Sequence, residues 1–156
     1  MEKGRLKYHV NLADFAGCPP AACMAVEREG YRWVHSPVSP EDFVPLALIS
    51  PVNRRPIDES DLEMQCLSWG LSLFDSLQSA KARFESIIKN VRLSKRPSFI
   101  QQKGDKAALL QLKPQHGESS EPNNAGHFTL FEYDGAQLQN EIIDIFNIFE
   151  LNGESK

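Results

Sequence analysis

Three strands bear the polar residues that carry what chemistry this chain offers. Arg32 and His35 lie in Tyr31-Arg32-Trp33-Val34-His35. Ser72 lies in Trp69-Gly70-Leu71-Ser72-Leu73-Phe74, just ahead of a helix. Glu132 lies on the run opened by His127. Brought together they would supply a cation or imidazole, a hydroxyl and a carboxylate, the groups of acid–base or nucleophilic catalysis. Taken singly, each reads as a satisfied polar residue on an edge strand. No Gly-rich phosphate loop, Gly-x-Gly-x-x-Gly, His-Glu-x-x-His or Gly-x-Ser-x-Gly is present, which removes the common nucleotidases, dehydrogenases, zincins and hydrolases. A nucleophilic pair of Cys66 with His35 or His127 has no orienting context.

Cysteine chemistry is thin. The three cysteines are Cys18, Cys23 and Cys66, an odd count that reads as reduced and intracellular. The Cys18–Cys23 spacing suits a disulfide only in an oxidising compartment, and no export signal supports one. Zinc would need a second ligand pair, yet His9, His35, His116 and His127 are scattered, so no metal site is expected. Buried or idle thiols are the expectation.

These groups sit in an ordinary globular background. The chain has 156 residues, 41% hydrophobic and 24% charged, with a formal net charge of −4. That length fits one domain. No apolar run spans a membrane, and no signal-peptide stretch follows the charged N-terminus. The acidic balance argues against broad nucleic-acid binding. A soluble, cytoplasmic domain with no membrane partner is the reading.

Periodicity supplies the elements that must position the polar groups. Residues 1–28 read as a tail and a turn, broken at Cys18-Pro19-Pro20. Residues 29–151 read as one α+β domain, and residues 152–156 as a C-terminal tail. Strands are expected at Tyr31–His35, 69–74, Ser98–Gln102, Ala107–Leu112 and His127–Tyr133. Ser39-Pro40-Glu41-Asp42 reads as a short helix start, soon stopped by Pro45. A helix capped at Asp75 runs to about Val91, with Leu77, Ala80, Phe84, Ile87, Ile88 and Val91 on one stripe. A second helix is expected from Ala136 to Leu151, its stripe being Leu138, Ile142, Ile145, Phe146 and Phe149. Residues 50–62 read as a functional loop and 113–126 as a mobile one. The expected fold is a mainly antiparallel sheet of about five strands with these two helices packed on it. Its core combines Trp33, Val34, Leu71, Leu73, Leu77, Phe84, Ile87, Ile88, Leu109, Leu110, Leu112, Phe128 and Leu130 with Ile142, Ile145, Phe146 and Phe149.

Charge is divided along the chain. Residues 81–106 hold eight lysines and arginines against Glu85 and Asp105, and acids dominate from Glu118 onward. The plain reading is solvated helix faces; the sharper one is a site for phosphate, nucleic acid or an acidic partner. Without interleaved exposed aromatics, nucleic acid is disfavoured.

Two resemblances add to this. Cys18-Pro19-Pro20, Tyr31–His35, Asp42-Phe43, Cys66-x-x-Trp69-Gly70-Leu71-Ser72-Leu73-Phe74 and Gly126-His127-Phe128-Thr129-Leu130-Phe131 together resemble a family of small bacterial proteins of unassigned function. That likeness covers about residues 18–133 and implies an accessory protein. Separately, the order of a strand with Arg or His, a Gly-x-Ser strand leading into an Ala-rich helix, and a late strand with Glu resembles the ADP-ribosyltransferase-like proteins. This resemblance implies that Arg32 or His35 grips NAD and that Ser72 with Phe74 lines its nicotinamide pocket. Glu132 would then bond the ribose and stabilise a cationic transition state. The catalytic set so implied is Arg32, His35, Ser72 and Glu132, and the cofactor set is Arg32, Ser72 and Phe74. The chain lacks the family's Ser-Thr-Ser triplet and its Glu-x-Glu pair.

The leading functional expectation is therefore a protein-interaction module without a cofactor, with Trp33, Trp69 and His127 as binding aromatics. The alternative is an NAD-binding transferase-like enzyme or its degenerate relative, which requires Arg32 or His35, Ser72 and Glu132 to converge on one cleft. A phosphate or nucleic-acid binder using residues 81–106 is the third.

Overall fold

A computed structural model describes residues 4–49 and 56–148. Its frame is one antiparallel sheet of six strands in the order β4-β5-β2-β1-β3-β6, with helices beside it, an α+β fold. The strands are β1 (Arg28–Val34), β2 (Leu71–Phe74), β3 (Lys106–Leu112), β4 (Gly117–Ser119), β5 (His127–Glu132) and β6 (Ile142–Asn147). The helices are α1 (His9–Leu12), α2 (Leu62–Leu67), α3 (Leu77–Ile88) and α4 (Arg96–Lys103).

The sheet is closely knit within two halves and loosely joined between them. β1 and β3 pair from Arg28↔Leu112 to Val34↔Lys106, and β2 and β5 from Leu71↔Leu130 to Phe74↔His127. β1 and β2 are in register only at Tyr31↔Phe74. A seam thus divides β4-β5-β2 from β1-β3-β6.

Alternation sends successive side chains to opposite faces. Val34, Leu71, Leu73, Ala108, Leu110, Leu112, Phe128 and Leu130 share one buried face, joined by Phe43 and Leu138. On the other face, α3 and α4 bring Phe84, Leu77, Ile88, Phe99 and Ile100 onto Trp33 and Ala107. Beyond the seam, Leu12, Cys23, Cys66 and Phe131 form a further cluster with Tyr8 and Trp69. Trp33, Leu77, Ile87, Ile88, Leu109, Ile142 and Phe146 are only half-buried.

α3 forms where its apolar spacing places it. Its cap is Ser76, whose hydroxyl accepts from the Ser79 N–H at 3.0 Å, rather than Asp75, whose N–H donates to the Gly126 carbonyl at 2.8 Å. The Ser39 start makes a single 3-10 turn, Pro40–Phe43, closed by a capping box with Asp42.

Several expectations are corrected. Ser98–Gln102 is the body of α4, not a strand: Pro97 opens the first turn and Gly104, at φ 80°, ends it. The helix expected over Ala136–Leu151 is a 3-10 turn at Leu138–Glu141 followed by β6. The β-branched Ile142, Ile143 and Ile145 suit a strand, and the open edge of β3 supplies backbone partners that a helix would forgo. Ile145 is accordingly 43% exposed. Part of the 113–126 loop is β4, with Glu118 and Ser119 buried.

Residues 4–27 are not a tail. Leu6 bridges Tyr133, Met24 bridges Ser119, and Cys18 is disulfide-bonded to Cys66. That bond overturns the expectation of reduced thiols and removes the cysteine argument for the cytoplasm; Cys23 stands outside it, buried. Positions 50–55 of the expected functional loop, Phe149, and the C-terminal tail lie outside the described residues. No helix among the described residues is long and apolar enough to cross a membrane.

Candidate functional site at the strand seam

The seam gathers most of the residues singled out above, but divides them between two faces. Ser72 is opposite Thr129 and Phe74 is opposite His127, so Ser72 and His127 are diagonal neighbours on one face. The Ser72 hydroxyl is hydrogen-bonded to His127 Nε2 at 2.9 Å. The His127 ring meets Phe74 edge-on at 5.5 Å, and Phe74 stacks on Trp33 at 5.6 Å. Trp33 is anchored in turn by its indole N–H, which donates to the Ala80 carbonyl of α3 at 3.1 Å. Ser72 is exposed, whereas Phe74 is buried. A solvent-facing hydroxyl beside an imidazole, backed by aromatic rings, can hydrogen-bond a polar ligand or have its proton withdrawn.

Arg32 occupies the other face of the seam. Where β1 and β2 no longer pair, its guanidinium bridges them: Nη1 donates to the Ser72 carbonyl at 2.8 Å and Nε to the Asp42 carbonyl at 2.7 Å. It also lies over the Phe43 ring, 5.9 Å from the centroid. Burial pulls its pKa down to about 10, opposed by the charges of Glu132 and Asp42.

His35, at the end of β1, is held on both ring nitrogens. Nδ1 lies 2.5 Å from the buried Asp42 carboxylate, and Nε2 lies 2.6 Å from the Gln101 carbonyl of α4. Both partners are acceptors, so both nitrogens must donate, which is the imidazolium form. Partial burial lowers its pKa, but the bonds to Asp42 and to the α4 carbonyls outweigh this and raise it.

Glu132 stands apart from Ser72. It shares strand parity with Phe128 and Leu130, so its side chain leaves β5 on the face opposite Ser72. It is 4% exposed and accepts from Lys7 Nζ at 3.2 Å. Its Oε1 has no hydrogen-bond partner among the described residues. Burial raises its pKa, against the pull of Lys7 and Arg32. The convergence of Ser72 and Glu132 on one cleft is therefore not formed.

Trp33 and Trp69 are half-buried and each packs on a neighbouring ring. Trp69 sits against Tyr8 at 5.6 Å, and Trp33 against Phe84 at 5.1 Å. Arg96 turns inward to the Val91 carbonyl at 3.0 Å, and Lys106 pairs with Asp105 at 3.2 Å. Lys81 and Arg83 line open grooves along the outer side of α3, away from the seam. Among the described residues no cluster of three or more His, Cys, Asp and Glu could hold a metal ion.

Two features escaped the sequence reading. Asp42 reads from the sequence as a helix-start acid and part of the Asp42-Phe43 motif, not as a partner of His35, although its Ser39 capping box marks a fixed carboxylate within reach of the strand end. The Ser72–His127 contact depends on β2–β5 register, which neither strand encodes alone. Comparison with known proteins finds no matching family model, curated protein or solved structure.

Proposed function

We propose that the chain is a degenerate relative of the ADP-ribosyltransferase-like proteins, one that binds NAD at the β1–β2 seam without Glu132 on the ribose. The supporting observation is the seam itself: β1 and β2 are in register at one position, with Ser72, Phe74 and His127 on one face and Arg32 bridging the two strands on the other. Arg32, Ser72 and Glu132 also keep the chain order of the resemblance, on the adjacent strands β1, β2 and β5. The opposed faces of Ser72 and Glu132 confine the proposal to binding.

Thermal unfolding with NAD tests it. Ligand at 100 times its Kd adds about 2.7 kcal/mol, several degrees in Tm for a domain of this size. Ser72→Ala and His127→Ala are expected to weaken the shift, and Glu132→Gln to leave it intact. No shift at millimolar NAD, or a shift unaltered by Ser72→Ala, overturns the reading.

A second reading, a protein-interaction module, rests on β6. This edge strand exposes Ile143 at 57% and Ile145 at 43%, whereas Met24 bridges Ser119 beside the opposite edge. Open apolar edges accept an added strand. Capture of a partner by the wild type but not by the Ile143→Lys, Ile145→Lys double variant supports this reading. Equal capture by both removes it.

A further inference from the structure

The polar groups of the seam form one continuous chain across the sheet. The Gln101 carbonyl of α4 accepts from His35, and His35 donates to the Asp42 carboxylate. The same Asp42 residue offers its carbonyl to Arg32 Nε, while Arg32 Nη1 holds the Ser72 carbonyl. Ser72 then meets His127 through its hydroxyl. Each link joins a different element: α4, the end of β1, the Pro40–Phe43 turn, β2 and β5.

We propose that protonation of His35 sets the position of Ser72 at the seam, acting through Asp42 and Arg32. With both nitrogens protonated, His35 clamps the turn to α4. Among the described residues, besides the His35 ring the Asp42 carboxylate accepts from the backbone N–H groups of Ser39, at 3.0 Å, and His35, at 3.2 Å. Loss of one proton leaves His35 with a single donor for two acceptors. Either Asp42 or the α4 carbonyl is then unmatched. If Asp42 lets go, its carbonyl moves with the turn, and Arg32 loses one of its two anchors.

Other charged groups lie on the elements packed around His35. The Pro40–Phe43 turn adds Glu41, which is exposed. At the α4–β3 junction stand Lys103, Asp105 and Lys106; the last two pair with each other. Arg32, on the same strand, is already committed to two carbonyls.

This device rests on the proposed NAD site for its purpose but not for its test. His35 is a positioning residue, so the readout is positional: the Ser72 amide and Arg32 Nε resonances followed across pH in the ligand-free protein. A His127→Gln background removes the imidazole that touches Ser72. The expected result is that both resonances move with the midpoint of the His35 ring signals, and that His35→Gln, folded by circular dichroism, abolishes the movement. Resonances that stay fixed while His35 titrates, or that move equally in His35→Gln, overturn the proposal. Should His35→Gln fail to fold, Arg32→Lys gives the second arm: its shorter reach is expected to uncouple the Ser72 amide from the His35 titration, and undiminished coupling overturns the proposal. NAD affinity measured over the same pH range is a separate arm. Movement of Ser72 without any NAD binding refutes the ligand reading and leaves the coupling standing.

Discussion

The Arg32 guanidinium reaches across the open seam to the Ser72 carbonyl at 2.8 Å, standing in for backbone pairing that β1 and β2 do not make there. A side chain that closes a sheet in this way holds both strands to one geometry. Arg32→Met keeps much of the apolar stem but strands the Ser72 and Asp42 carbonyls. The expected cost is about 2–4 kcal/mol, from two lost charge-assisted bonds. Chemical denaturation of the variant against wild type measures it, and a loss under about 0.5 kcal/mol would show the seam closed by other means.

His35 gives the stability a definite pH dependence. Its folded pKa lies above the unfolded value of about 6.5. The stability it contributes is therefore complete below about pH 6.5 and declines as pH rises through the raised folded value. Wild-type Tm is expected to fall over that window relative to His35→Gln, the difference narrowing toward alkaline pH. A constant difference would contradict the imidazolium assignment.

Glu132 has the opposite kind of linkage. Its folded pKa is raised by burial, so ionisation is less favourable in the fold than in the unfolded chain. Stability is lost as pH rises from the unfolded value of about 4.5 through the folded one. Glu132→Gln is expected to be neutral or stabilising at pH 7 and to lose that advantage in acid. Lys7→Met, by removing the partner 3.2 Å away, is expected to cost about 1–3 kcal/mol at pH 7. Parallel Tm curves for the two variants from pH 4 to 8 would refute the assignment.

The Cys18–Cys66 bond spans a sequence separation of 48 and fastens the N-terminal segment to α2. Chain entropy assigns such a loop about 4 kcal/mol. Cys18→Ser, Cys66→Ser unfolds correspondingly earlier in urea, whereas Cys23→Ala costs only a small buried side chain. Mass spectrometry of the alkylated native protein is expected to show one disulfide and no rapid reaction at Cys23.

Two glycines separate backbone strain from crowding. Both Gly104 and Gly135 have positive φ, 80° and 87°. A Cβ on Gly135 meets nothing within 4 Å, whereas one on Gly104 overlaps the Val34 carbonyl oxygen. Gly135→Ala is expected to cost about 1 kcal/mol from backbone conformation alone. Gly104→Ala must also displace β1 next to His35, and is expected to cost well above that. Equal Tm losses would show that the α4–β3 junction yields freely.

What the sequence determined by itself is what local chemistry can carry. The apolar stripe of Leu77–Ile88 dictates a helix, the β-branched and aromatic runs around Trp33, Leu71 and Phe128 dictate strands, and Ser39-Pro40 dictates a capped turn. These signals act within a few residues, so they survive without a partner. Tertiary structure decided the rest. Ile142–Asn147 has apolar spacing that fits a helix face, and only the open edge of β3 makes it a strand. Phe99 and Ile100 fit a short strand until Pro97 and Gly104 frame a helix that packs on Phe84. The candidate site belongs to the same category. Ser72, His127, Arg32 and Asp42 are separated by up to 95 positions in sequence, and nothing local to any of them specifies the others. Register brings Ser72 to His127, the broken β1–β2 pairing brings Arg32 to the Ser72 carbonyl, and strand alternation turns Glu132 to the opposite face. A one-residue change of register would exchange those faces, which is why the residue types were legible in the sequence and their convergence was not.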